Sequence, residues 1–283
     1  MITSIAVAGA GTMGSGIAQI TAQHGFRTIL FDPNITVLNK AATNIEKNLA
    51  YLVNKNSLTA QQQQVIFNRI LFTASISDCI ADLIIEAIVE KADVKIDLFN
   101  QLATLNSTQT IFASNTSALS ISLLQQAIPH PQRMAGLHFF NPAPVMKLVE
   151  IVQGDQTNTA TIEALSALCV QLNKTAVICK DAPGFIVNRV ARHYYLEAME
   201  LVAQGIASIE TVDTIMEASG FKMGPFKLMD LIGLDVNLAV SQSIYEALGQ
   251  PERFTPAKAQ INKVAAGDLG RKTGRGFYEY PAS

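Results

Sequence analysis

Cysteine, charge and long apolar runs are all scarce in this chain. Its 283 residues include 3 cysteines, 4 histidines and 16% charged residues. Cys79, Cys169 and Cys179 lie far apart in apolar runs. Their odd number excludes a disulfide scaffold, and their spacing matches no metal site, so no metal is expected. They read as packing thiols in a reducing compartment. The formal net charge of −2 gives no reason to expect a nucleic acid partner. No run approaches the ~18–20 apolar residues of a membrane helix, so no membrane partner is expected either. A strand is expected from residue 2 onward, leaving no room for a signal or transit peptide, and the expected location is cytoplasmic. What the chain does have is apolar substance. Hydrophobic residues make up 49%, enough for a large core in one large domain or two ordinary ones.

Within that apolar background, the segment Leu137–Glu150 carries one ionisable ring, His138, and one carboxylate, Glu150. Asn141-Pro-Ala-Pro144 reads as a turn between strand-like runs Arg133–Phe140 and Val145–Gln153. Antiparallel pairing about Pro144 sets His138 directly opposite Glu150. Cross-strand partners have Cβ atoms roughly 4.5–5.5 Å apart on one face. An imidazole and a carboxylate so placed can share a hydrogen bond that fixes the tautomer and stabilises the imidazolium. On this segment alone, a base with its orienter and a salt bridge inside a hairpin both fit.

The N-terminus separates the two. An apolar strand, Ile2–Ala8, runs into Gly9-Ala-Gly11-Thr-Met-Gly14, and an apolar helix pattern follows. A second strand ends at Asp32, 18 residues after Gly14. Gly-x-Gly-x-x-Gly is weak alone and specific in this setting. Gly9 permits the tight turn, Gly11 lets backbone approach a pyrophosphate, and Gly14 packs helix on strand. The helix N-terminus offers N–H groups to phosphates. Asp32 is placed to accept from a ribose 2′-hydroxyl and to repel a 2′-phosphate, which predicts NAD rather than NADP.

The remainder of the first part alternates strand and helix. A helix is expected over Pro33–Lys55, strands over Ile70–Ala74 and Leu83–Val89, a helix over Asp93–Leu105, and strands over Thr110–Ala113 and Thr175–Cys179. This predicts an α/β fold with a Rossmann-type, parallel, doubly wound sheet. Asp32, Glu86–Glu90, Ser114–Ser117 and His138 all fall at C-terminal strand ends, where such sheets bind ligands. Pro183-Gly184 breaks the pattern. The expected domains are therefore 1–183, binding NAD, and 184–283, all helical. Helices are predicted over Phe185–Gln204, Ile209–Ala218, Pro225–Leu248 and Pro256–Ala266. Their apolar composition predicts packing against a partner subunit as a homodimer.

Together these residues resemble the short-chain L-3-hydroxyacyl-CoA dehydrogenases, bacterial 3-hydroxybutyryl-CoA dehydrogenases in particular. The motifs that carry the likeness occur in family order. They are Gly9–Gly16, Glu86–Glu90, Ala113–Ser117, the His138–Glu150 segment, Lys180–Arg189, Met223–Phe226 with Asp230, and Lys272–Tyr278. The resemblance implies an NAD-dependent oxidoreductase that interconverts (S)-3-hydroxyacyl-CoA and 3-ketoacyl-CoA, of butanoate or fatty acid metabolism. A short acyl chain is implied. A carboxylated acyl group such as 3-hydroxyadipyl, or a CoA-free hydroxy acid, stays open as an alternative.

Roles transfer residue by residue. The resemblance makes His138 the catalytic base and Glu150 its partner. Ser117 and Asn188 hold the reacting oxygen of the substrate. Gly9, Gly11, Thr12, Met13, Gly14, Asp32, Ala87, Glu90, Lys95 and Asn115 fall at cofactor-contacting positions, and Lys55 at a position near the CoA moiety. Asn48 departs from the family there, standing where a relative has a small hydroxyl residue. His193 stands where members often carry proline, which predicts a straighter or longer helix and a surface or interface histidine. His24 and His130 read as ordinary helix and loop residues. The resemblance also implies that the substrate lies between the two domains.

Overall fold

The computed structural model describes residues 2–281. By contacts the chain divides into two compact units, Met1–Ala182 and Pro183–Ser283.

The first unit is an eight-stranded sheet flanked by helices. Its strands are β1 (Ser4–Ala8), β2 (Arg27–Phe31), β3 (Ile70–Thr73), β4 (Leu83–Glu86), β5 (Ile111–Ser114), β6 (Met134–Phe139), β7 (Leu148–Gln153) and β8 (Thr175–Lys180). The spatial order is β3-β2-β1-β4-β5-β6-β7-β8. β1 to β6 run parallel, and β7 and β8 run the other way, because β6 and β7 form the one antiparallel pair. β1, β4, β5 and β6 are almost wholly buried, as expected of apolar strands covered on both faces. Ile5, Val7, Leu30, Leu83, Ile85, Leu137 and Ile151 form the centre of the core.

The helices follow from their caps. α1 (Thr12–Gln23) leaves the glycine turn directly. α2 (Ile35–Asn54) starts when the Asn34 side chain accepts from the Thr36 N–H, so it begins later than the sequence suggests. α3 (Ala60–Phe67) opens with a reciprocal capping box between Thr59 and Gln62, and Gln61, Gln62 and Gln64 lie on its exposed side. α4 (Ala92–Leu105), α5 (Ile121–Gln125) and α6 (Thr159–Gln171) complete the unit. The sequence reading misses α5 and α6. α6 is required topologically, since β7 and β8 are parallel and need a crossover.

Two strand limits also shift. β7 starts at Leu148 rather than Val145, because the Val145 and Met146 N–H groups turn back to the Pro142 carbonyl. β4 ends at Glu86 rather than Val89, because the Ile88 N–H donates to the Glu86 side chain.

The second unit is helical: α7 (Val187–Ala203), α8 (Ile209–Ala218), α9 (Pro225–Ile232), α10 (Leu234–Ala247) and α11 (Lys258–Ala265). The predicted single helix Pro225–Leu248 is two. Gly233 breaks it at φ 101°, a conformation only glycine adopts without strain. Its apolar period continues across the break, which hides it in the sequence. α7 passes through His193 without interruption. The exposed His193 ring packs tilted against that of Phe254, their centres 4.6 Å apart. Tyr195, Met199, Phe226, Met229 and Leu234 form this unit's core. Two buried acids fasten its C-terminal segment. Asp230 accepts from the Phe277 and Tyr278 N–H groups and the Tyr280 hydroxyl. Asp213 accepts from the Phe226 and Lys227 N–H groups and the Tyr278 hydroxyl.

Candidate active site

The glycine turn lies where β1 sits between β2 and β4, the point at which strand order reverses. Gly9 and Gly14 each have a steric reason. A Cβ on Gly9, at φ +102°, would lie 2.6 Å from the Ala87 carbonyl oxygen. One on Gly14 would lie 1.7 Å from the Gly9 oxygen. One on Gly11 would meet nothing within 4 Å. Bare backbone therefore faces open space at the N-terminus of α1, where Thr12 and Met13 begin the helix. That arrangement fits a pyrophosphate. Asp32 caps the next strand. Its Oδ2 accepts from the Ala10 N–H (3.0 Å) and its Oδ1 from the Asn34 N–H (2.9 Å). These bonds aim the carboxylate over the turn. Gly9, Gly11, Asp32, Ala87 and Val94 line a cavity of about 800 Å³ here.

A network of buried charge adjoins the turn. Glu86, at the end of β4, accepts from Lys95 Nζ (2.5 Å), from the Ser114 hydroxyl (2.6 Å) and from the Ile88 N–H (2.7 Å). Lys95 is 1% exposed and also meets Glu90 at 3.1 Å. Glu90 then holds the Ser117 turn. Its Oε1 accepts from the Thr116 hydroxyl (2.5 Å) and the Ser117 N–H (3.0 Å). Burial alone would raise the Glu90 pKa, but Lys95, Thr116 and Ser117 hold it below the ordinary carboxylate range. The Thr116 hydroxyl also accepts from the Ala118 and Leu119 N–H groups. Thr116, Glu86 and Ser114 had no assigned role in the sequence reading. The available signal was an acid ending an otherwise apolar strand, with a lysine nine residues later.

The hairpin has the register its spacing predicts, with His138 paired to Glu150. His138 Nδ1 lies 2.8 Å from Glu150 Oε2. Both residues are buried, at 6% and 1% exposure. A carboxylate only accepts, so Nδ1 carries the hydrogen and Nε2 the lone pair. The Phe140 ring packs 4.5 Å from the imidazole. Asn115 ties the neighbouring strand ends together, its Oδ1 accepting from the Phe139 N–H at 2.9 Å. The β6–β7 turn is fixed by Lys174, whose ammonium donates to the Ala143 (2.6 Å) and Met146 (2.7 Å) carbonyls. That turn lies on α1 where a Cβ on Gly16 would come 3.2 Å from Pro144. The structure thus brings Gly9–Gly14, Asp32, Ala87, Glu90, Lys95, Asn115, Ser117 and His138 to one edge of the sheet.

Lys55 is separate. It caps α2, exposed, with its ammonium 5.7 Å from the centre of the Tyr51 ring. A second cavity of about 800 Å³ runs beside α1 and α2, lined by Gly16, Lys47, Asn48, Tyr51, Pro142 and Val145. Asn48 is tied to Gln19 at 3.1 Å. Asn188 lies half-buried in the first turn of α7 in the second unit. The cysteines are inert. Burial pushes Cys79 and Cys169 up to about 12 and Cys179 up to about 11. Among the described residues no cluster of three or more metal-ligating side chains forms, and no helix is long and apolar enough to cross a membrane.

Comparison with known proteins places this geometry. The NAD-binding domain of 3-hydroxyacyl-CoA dehydrogenase matches residues 4–182, and the C-terminal domain of the same family matches 184–280. The chain is 43% identical over 283 residues to 3-hydroxyadipyl-CoA dehydrogenase of Escherichia coli K12, covering 99% of this chain and 60% of that protein. It thus spans about 60% of the length of that relative. It is 41% identical to a probable 3-hydroxybutyryl-CoA dehydrogenase of Deinococcus radiodurans, covering 97% of this chain and 99% of that one. The crystal structure of (S)-3-hydroxybutyryl-CoA dehydrogenase from Ralstonia eutropha superposes with a TM-score of 0.95 at 38% identity, covering 100% of both chains. A glycine turn shaped for NAD and two family domains matched in order carry one conclusion: the chain belongs to the 3-hydroxyacyl-CoA dehydrogenase family.

Proposed function

We propose that this protein interconverts (S)-3-hydroxyacyl-CoA and 3-ketoacyl-CoA with NAD. The buried His138–Glu150 pair, on the sheet edge that carries the glycine turn, is the observation that supports it. When bound, NAD supplies the hydride chemistry at substrate C3. In the oxidation direction, His138 Nε2 takes the proton of the 3-hydroxyl. Glu150 holds Nδ1–H and balances the imidazolium that results. In reduction His138 returns that proton to the carbonyl oxygen. A base so placed contributes about 10²–10⁴-fold. The Ser117 hydroxyl and the Asn188 amide hold the C3 oxygen in line, a positioning effect. Gly9, Gly11, Thr12, Met13 and Gly14 cradle the cofactor phosphates and Asp32 its ribose. Ala87, Glu90 and Lys95 stand at cofactor-contacting positions, Asn115 beside the nicotinamide, and Lys55 near the CoA moiety.

The names of the relatives favour a CoA ester of a short acyl chain. Exposed Leu231, Ile232 and Val236, on adjoining helices α9 and α10, support assembly as a homodimer. Three unpaired cysteines suit the cytoplasm. The test is a steady-state comparison of acetoacetyl-CoA with free acetoacetate, each with NADH and NADPH. Reduction of the CoA ester with NADH is expected. Equal use of free acetoacetate would refute the CoA reading, and equal use of NADPH would refute the role of Asp32.

A further inference from the structure

Arg192 stands one helical turn beyond Asn188 on the same face of α7. It is 3% exposed. Its Nε donates to the Asn188 carbonyl (3.2 Å). Nη1 donates to the Asn237 carbonyl (2.9 Å), the Asn237 side-chain oxygen (3.3 Å) and the Ser241 hydroxyl (3.0 Å). The Tyr195 ring lies 4.8 Å from the guanidinium carbon. Every one of these partners is neutral. Among the described residues no carboxylate comes within ion-pair range of Arg192. Burial draws its pKa down to about 10, so it remains a cation at neutral pH. A buried cation is ordinarily met by an anion.

Two donors around Arg192 are unspent. Nη2 makes no hydrogen bond to any described residue. Asn237 Nδ2 is buried without a partner. The orientation of that amide is fixed by chemistry. Its oxygen accepts from both Arg192 Nη1 and Gln260 Nε2, the latter at 2.5 Å, and reversing it would set donor against donor. The same pairing leaves Gln260 Oε1 unpartnered. One end of the guanidinium is thus anchored, and Nη2 and the Asn237 N–H₂ are both left without an acceptor. Such an arrangement is preorganised for a carboxylate.

We propose that Arg192 and the Asn237 amide form a subsite for a terminal carboxylate on the acyl chain, making the preferred acyl group a dicarboxylic one. The inference rests on the reading of Asn188 as a ligand of the C3 oxygen. The spacing of Asn188 and Arg192 on the helix suits such a chain. Four helical residues advance about 6 Å along the axis. Three carbon–carbon bonds of ~1.5 Å carry a six-carbon chain roughly 4 Å from C3 to its terminal carboxyl carbon. A charge-assisted hydrogen bond of about 2.8 Å covers the remainder. A four-carbon acyl group has no carboxylate to offer and leaves the two donors unpaired.

The measurement compares kcat/KM for 3-oxoadipyl-CoA and 3-oxohexanoyl-CoA, which have equal carbon number and differ in the terminal charge. Wild type should favour the carboxylated ester by about 30-fold or more, the low end for a desolvated charge pair. In Arg192→Gln that ratio should collapse towards one, and Arg192→Lys should restore part of it. A wild-type ratio near one overturns the subsite without any variant. A ratio that survives Arg192→Gln, with both rates falling together, shows a structural arginine and overturns it too. The wild-type ratio and the Arg192→Lys ratio decide the matter even where Arg192→Gln does not fold. Failure to reduce any 3-ketoacyl-CoA would instead refute the proposed function, so the two failures are distinguishable.

Discussion

The two units bury charge in opposite ways. In the first, ion pairs dominate: Lys95 lies between Glu86 and Glu90, and His138 lies against Glu150, while Lys174 alone is met by two backbone carbonyls. In the second they come singly. Among the described residues, Asp213 and Asp230, at 0% and 1% exposure, accept only from backbone N–H groups and tyrosine hydroxyls. Lys227, whose N–H serves Asp213, sends its ammonium to Glu217 instead. A paired charge is responsive, because a proton or ligand taken up by one member unbalances the other. A lone acid ringed by neutral donors is a fastening: its lone pairs are taken up by N–H and O–H groups that hold one segment to another. The contrast sets responsive pairs in the first unit against fastenings in the second. Arg192 departs from it, as a lone charge that is not saturated.

Breaking a pair in the first unit should cost the most. His138→Ala is expected to lower kcat by about 10²–10⁴-fold while NADH, titrated by its fluorescence, still binds. Glu150→Gln keeps the shape and removes the countercharge, so kcat should fall there also. Unchanged turnover in both variants would reduce the pair to a structural salt bridge.

Breaking a fastening in the second unit should cost stability. Asp230→Ala strips the acceptor from two N–H groups and the Tyr280 hydroxyl. Urea unfolding should show a loss on the order of 3 kcal/mol, since hydrogen bonds to a charged group are worth ~1.5–3 kcal/mol each and their donors are left short. NADH affinity should hold. Tyr280 must stay protonated to donate, and burial with Asp230 as neighbour pushes it up to about 12 from 10.0. A folded pKa above the unfolded one gives stability that is present below pH ~10 and lost towards about 12. Wild type should therefore weaken across that window, and Asp230→Ala should weaken less. A stability loss under ~1 kcal/mol would show that the segment 270–280 is held by other means.

The sequence made the first unit more legible than the second, and the reason is physical. Glycines at 9, 11 and 14 and the acid at 32 answer to backbone sterics and phosphate geometry, which any ligand-bearing turn of this kind must satisfy. The His138–Glu150 register follows from strand alternation about a proline turn. By contrast, Gly233 looks like one tolerated glycine in a long apolar period, and only its positive φ shows the break. α6 is hidden because Leu, Ala and Val between Thr159 and Gln171 give little amphipathic contrast in a helix covered by the sheet. Thr116 and Arg192 were illegible for another cause. Their partners are distant in sequence, and one threonine or arginine carries no local signal of what it will touch.

The smallest expected effect tests whether the pairing in the first unit reaches the substrate. Thr116 joins the Glu90–Lys95 pair to the turn bearing Ser117, donating to Glu90 and accepting from the Ala118 and Leu119 N–H groups. Thr116→Val keeps the volume and removes all three bonds. If the pair acts by holding Ser117, kcat should fall about tenfold while KM changes little, because misplacement by a fraction of an ångström weakens alignment more than binding. Thr116→Ser restores the hydroxyl and should recover most of the rate. The pH profile separates positioning from mere stability. Burial raises the Glu90 pKa, and Lys95, Thr116 and Ser117 lower it to a net value below the ordinary range. Order that depends on ionised Glu90 is complete above the unfolded pKa and lost as pH falls through the folded one. Without the Thr116 hydroxyl the folded pKa rises, so the acid limb of kcat should move to higher pH in Thr116→Val and return in Thr116→Ser. An acid limb that stays in place while both variants turn over like wild type would mean that the charges of the first unit, however well paired, stop short of the serine.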